Sequence, residues 1–266
     1  MESASNFKDQ VFTSFKESLN SYTIPERFAS PFGNEPHPLS LLAVEELQSY
    51  LLTQQEWDHN FGFSKNGEPV IGKMFGVLVV RTEDFEIGYL AAFSGKLAGG
   101  NYHEGFVPPI FDGVEEGGFL NIGMLELARI NSEIQKLELC SSEESYGEIA
   151  SLKSYRKKHS ISLQNAIFDQ YNFLNQNGEE MSLRNIFENA SYKNPPAGAG
   201  ECAAPKLLQY AFQNNMQPLA MAEFWWGMSP KSDHWKHGSF YPACREKCQP
   251  ILAHMLSGMD LDERLN

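Results

Sequence analysis

Lys73-Met74-Phe75-Gly76-Val77-Leu78-Val79-Val80-Arg81, followed by Ile87-Gly88-Tyr89-Leu90-Ala91-Ala92-Phe93-Ser94, decides the fold class. Both are short, nearly continuous apolar runs rich in β-branched and aromatic residues, the composition of strands buried on both faces. The connector Thr82-Glu83-Asp84-Phe85-Glu86 is polar and too short for a crossover, so the pair predicts an antiparallel hairpin. A strand pair that is apolar throughout needs cover on each face, and helices are the nearest source.

Upstream, the first forty residues are polar and punctuated by proline, with Phe12, Phe15, Phe32 and Leu39 as anchors. Ser40 ahead of the apolar-periodic run Leu41 to Leu52 predicts a helix start, and Asn66-Gly67 predicts a turn before the hairpin. Downstream, residues 95–118 are rich in glycine and proline and read as loop. Leu127, Ile130, Ile134 and Leu137 then follow helical spacing, and Glu143 to Gln176 reads as mostly helical until Gly178. Ser182 opens a short helix through Phe187. Pro205 suits a first helical turn, which places Cys202 at the N-terminus of a helix running to Gln213. Pro218 to Gly227 reads as a strand, and a last helix is expected from Ala243 onward. The order predicts an α/β fold, a mixed sheet sandwiched by helices. Residues 1–118 would supply its first half, 119–190 a helical-hairpin insertion, and 191–266 a cysteine-bearing second half.

The chain of 266 residues is 42% hydrophobic, enough for a substantial core. No basic region followed by an apolar stretch opens it and no window has the length of a membrane span, so a cytoplasmic protein without a membrane partner is expected. Four cysteines in such a length do not make a disulfide framework. The net charge of −13 opposes nucleic acid at long range, because phosphate neutralisation supplies most of that affinity. The densest cationic run, Lys153 with Arg156, Lys157, Lys158 and His159, reads first as a solvated helix face.

Chemistry concentrates in Gly198-Ala199-Gly200-Glu201-Cys202-Ala203-Ala204-Pro205-Lys206 and Pro242-Ala243-Cys244-Arg245-Glu246-Lys247-Cys248. Cysteines at helix mouths gain thiolate character from the positive end of the helix dipole. Cys244 and Cys248, four apart, would share one helical face and could join Cys202 as three ligands to zinc. His234, His237 or Cys140 could close a fourth position, or water could hold it. Glu201 would then serve as a proton shuttle. The bland alternative is three small buried residues, since free cysteine is commonly core. Glu223, inside an apolar strand, needs a partner and is expected near the same cleft. Phe224-Trp225-Trp226 reads as core rather than as a stacking platform. His37, His59 and His103 read as ordinary loop histidines, and Lys96 in Ser94-Gly95-Lys96 could hold a phosphate.

The cysteine layout partly resembles zinc-dependent nucleobase deaminases, which carry His-or-Cys, any residue, Glu on one helix and Pro-Cys-x-x-Cys on the next. The likeness implies a deaminase-like fold, but Ala204 stands in the glutamate slot, Ala243 separates Pro242 from Cys244, and the last two cysteines are one residue too far apart. A second resemblance covers nearly the whole chain. Asn34-Glu35-Pro36-His37-Pro38-Leu39, Gly72 to Val80, Gly88 to Leu97, Phe106-Val107-Pro108-Pro109-Ile110-Phe111-Asp112, Pro195 to Leu208 and Ala222 to Cys248 look like the N-terminal region of long RluA-type RNA pseudouridine synthases. That family's catalytic His-Arg-Leu-Asp motif is absent, and Asp260-Leu261-Asp262 is no substitute. The resemblance therefore implies an accessory domain or free-standing homologue, with RNA and an isomerase domain as partners. A zinc deaminase or hydrolase acting on a nucleobase-like substrate is the other function in view.

Overall fold

The computed structural model describes residues 11–33, 35–63, 71–112, 117–140, 143–192, 194–230 and 234–262, the side chains of Cys140, Glu143 and Glu144 excepted. The expected Asn66-Gly67 turn lies outside the described residues.

The hairpin forms as predicted from β3 (Lys73–Arg81) and β4 (Ile87–Phe93), with Val77 opposite Ala91 and Val80 opposite Gly88. On its outer edge β4 pairs with β1 (Thr13–Ser14), and on the inner side β3 pairs with β7 (Gln217–Trp226), which carries β8 (Phe240–Tyr241). Pro218 has no N–H to give the ladder, and the β3–β7 register shifts there, between Val79 and Val80. The sheet was expected to be mixed. Its pairings between these strands are all antiparallel, because the chain leaves β4, skips over β3 and returns as β7 on the far side. Strands β4 and β7 thus run the same way but bond to β3 rather than to each other. Parallel pairing joins the short β2 (Phe28–Ala29) to β9 (Leu261–Asp262).

Strand alternation sorts the apolar residues into two layers. Phe75, Val77 and Val79 face helix α1 (Pro38–Thr53), whose Leu39, Ala43, Leu47 and Leu51 recur at helical spacing. Leu78, Val80, Leu90 and Ala92 face the opposite layer, where Ala203, Leu207 and Ala211 of α5 (Ala203–Gln213) meet Ile251, Leu252 and Met255 of α6 (Gln249–Met255). Cover on both faces explains why the strands lack a polar side. The α1 helix starts earlier than Ser40: His37 is its N-cap, its Nδ1 accepting the Leu39 N–H at 3.2 Å, and Pro38 takes the first turn.

Helices α2 (Phe119–Cys140) and α3 (Glu143–Phe168) pack on each other, with Gly123 against Leu163. The expectation of helix to Gln176 is corrected: α3 ends at Phe168 and Asn172–Leu174 is strand β5, paired with β6 (Glu180–Ser182). The cause is local. Asn175 Oδ1 accepts the N–H groups of Asn177 and Glu179, and Gly178 adopts φ +77°, so a turn replaces the helix. Ser182 then caps α4 (Leu183–Asn189) through the Asn185 N–H. Phe173, Leu183, Ile186 and Phe187 join the α5 layer, so the later part of residues 119–190 belongs to the main core.

Candidate metal centre

Two close approaches bring the cysteines together. Gly76 lies beneath the first turn of α5, where an added Cβ would stand 2.9 Å from the Ala203 Cβ. Gly200, at φ +90°, lets the chain turn under Tyr171 just before Cys202. Cys202 becomes the N-cap of α5 and Cys248 the N-cap of α6. The final helix was expected from Ala243 onward; it begins at Gln249, and the segment from Cys244 to Cys248 is a turn closed by the Cys248 N–H donating to the Cys244 carbonyl at 3.2 Å. Pro250 explains the delay, because proline sits best in a first turn. The turn retains the result expected of a helical face. The sulfurs of Cys202, Cys244 and Cys248 all lie within 4.8 Å of one another.

Cys248 is fully buried, and Cys202 and Cys244 are half-buried. Cys244 is the natural thiolate of the three. Hydrogen bonds from the Cys202 and Cys248 thiols, with help from the Glu246 and Lys247 backbone N–H groups, hold its pKa far below the usual thiol range. The two donors are pushed the other way: the Cys202 thiol rises to about 12 through its bond to Cys244, and Cys248 rises through its bonds to both partners and burial. Three convergent soft donors, two of them at helix mouths, form a set that fits zinc. Among the described residues three ligands meet. His237 instead accepts the Gly227 N–H on Nδ1 at 3.0 Å beside Trp226, and His234 packs on Trp235 and Tyr241. The Cys140 side chain lies outside the described residues.

Two carboxylates flank the sulfurs. Glu223, 7% exposed, reaches from β7 to accept the Ala204 N–H at 3.2 Å, and burial raises its pKa to about 8. Glu201 points into a separate cleft, where it accepts a hydrogen bond from the Tyr171 hydroxyl; burial raises its pKa, opposed by Lys206 and Lys96. Lys206 went unread in the sequence. It is buried, its Nζ donates to the Phe93 carbonyl at 3.0 Å and lies over the Phe93 ring, and burial lowers its pKa. A lysine within Ala203-Ala204-Pro205-Lys206-Leu207-Leu208 was the available signal.

The remaining candidates resolve plainly. Trp226 and Phe224 are core, as expected. His59 Nδ1 accepts the Phe61 N–H, and His103 Nε2 donates to the Leu97 carbonyl. Lys153 pairs with Glu138, while Arg156, Lys157 and Lys158 are exposed on α3. Asp260 pairs with Arg27 beside the β2–β9 strands. No described helix is long and apolar enough to cross a membrane. No protein-family model, curated protein or solved structure matches the chain.

Proposed function

We propose that the chain is a zinc-bearing accessory domain for RNA modification, of the kind that precedes the isomerase domain in long RluA-type pseudouridine synthases. The observation that carries the zinc part is the meeting of Cys202, Cys244 and Cys248 within 4.8 Å. The RNA part is supported by the order of sequence words that resemble that family and by the exposed Arg156, Lys157 and Lys158 on α3. A cationic helix face on a chain of net charge −13 would position RNA rather than dominate its binding. Protein purified without added metal is expected to hold about one zinc per chain, and Cys244→Ser to lose it. Binding of structured RNA is expected to weaken with salt and with Lys157→Glu plus Lys158→Glu. A metal-free wild type, or no RNA complex at low salt, would overturn the respective half.

A second reading, a zinc-dependent deaminase or hydrolase acting on a nucleobase-like substrate, is favoured by one specific feature. Among the described residues three ligands meet and leave a fourth position, the arrangement of catalytic rather than structural zinc. When bound, the ion supplies Lewis acidity there. Position 204, an alanine where the deaminase signature has glutamate, is the one whose N–H meets the Glu223 carboxylate, while Glu201 precedes the first ligand. Glu223, whose charge is felt at Cys202, would carry protons for hydrolysis, whereas Glu201 turns toward its own cleft. Ammonia release from cytidine or adenosine, lost in Glu223→Gln with zinc retained, would establish this reading; no release from nucleosides or RNA would sink it.

A further inference from the structure

We infer that the cleft floored by Glu201 binds a nucleotide whose base carries an exocyclic amino group, either free or within an RNA strand. The choice of ligand class rests on the RNA-modification reading above; the chemistry of the cleft is independent of the cysteines, none of which lines it. The space is about 390 Å³, bordered by Lys96, Asn101, Phe111, Met124, Tyr171 and Glu201. Pockets of this size suit a small ligand held by apolar walls and a few fixed polar groups.

Each wall has a distinct task. Phe111 stands edge-on to Tyr171 at 5.9 Å and, with Met124, supplies a surface for the face of a flat heterocycle. The Glu201 carboxylate is fixed from two sides: its backbone carbonyl accepts the Gly95 N–H at 3.0 Å, and its Oε1 accepts from the Tyr171 hydroxyl. With Oε1 engaged by Tyr171, Oε2 is left to accept from a donor on the ligand. An amino group on cytosine or adenine supplies that donor at the edge of the base, whereas the one donor on the pairing edge of uracil, N3–H, stands between two carbonyl oxygens that the carboxylate repels. Lys96 borders the cleft and is exposed. On a chain that is acidic overall, an exposed ammonium group bordering the cleft favours a phosphate there.

Isothermal titration of the full chain with cytidine monophosphate, uridine monophosphate, cytidine and short cytidine-only or uridine-only oligoribonucleotides tests the inference. Cytidine monophosphate should bind about tenfold more tightly than uridine monophosphate, the worth of one buried hydrogen bond. Glu201→Gln should erase that preference, and Lys96→Ala, an exposed site, should reduce the monophosphate to the affinity of cytidine. Equal binding of the two monophosphates, no binding at about 1 mM, or an unchanged preference in Glu201→Gln would overturn it. Tighter binding of the cytidine oligomer than of the monophosphate identifies the strand as the source, and the reverse identifies the free nucleotide. Zinc content, measured on the same samples, separates the two ideas: Cys244→Ser should lose metal while the cytidine preference persists.

Discussion

Glu223 is a buried carboxyl group whose pKa burial raises from 4.5 to about 8, so across that window the unfolded chain gives up a proton that the folded chain keeps. Its contribution to stability therefore falls as pH rises from 4.5 to 8. In metal-free protein, the stability of the wild type relative to Glu223→Gln should decline steadily through that range, read as denaturant midpoints. A flat difference would show that the carboxylate is already ionised. Gly76 makes the second residue-scale prediction. Alanine there would press on the Ala203 Cβ at 2.9 Å, so Gly76→Ala should lower stability by about 1–3 kcal/mol and weaken zinc affinity by shifting Cys202. Unaltered metal affinity would mean that α5 can move without disturbing the sulfurs. Glu223 stood out in the sequence as a carboxylate inside an apolar strand, expected near the cysteines, whereas Gly76 carried no such signal.

The α5 helix is the element on which the site depends. Its first turn lies over Gly76, its N-cap is Cys202, and Lys206 ties its second turn to the end of β4 through the Phe93 and Gly95 carbonyls. Lys206→Met keeps the stem packed but leaves those carbonyls without their donor, which should destabilise the fold by about 1–3 kcal/mol in chemical denaturation. No loss would show that water replaces the ammonium. Elements whose cover is apolar were legible in advance: the β3–β4 hairpin, β7 and α5 stand where the pattern put them, and α1 differs only in starting at Pro38. Those decided by a single side-chain hydrogen bond or a proline were not. The β5–β6 turn depends on Asn175 Oδ1, and the start of α6 on Pro250, neither of which hydrophobic periodicity registers.

At the scale of the whole molecule, zinc would be a clamp between distant parts of the chain. It would join the start of α5 to the turn before α6, and through them the β7 sheet face to the α6 layer. A ligand at about one hundred times its dissociation constant stabilises by about 2.7 kcal/mol, which for a chain of this size is a rise of about 5–10 °C in Tm. Chelation should therefore lower Tm by that amount and zinc should restore it, while Cys244→Ser should show neither change. A chelated wild type that melts as before would reduce the triad to buried thiols.

The amino-acid order by itself determined that the strands would be covered on both faces, that Cys202 would open a helix, and which three sulfurs could meet. These are consequences of apolar spacing and proline placement, which act over a few residues. Only the tertiary structure decided that the sheet would be antiparallel, that Glu201 would face a cleft of its own, and that Glu223 would reach the backbone of Ala204 instead. Those outcomes depend on where the chain returns after the long excursion between β4 and α5, and packing between residues a hundred positions apart leaves no local pattern to read.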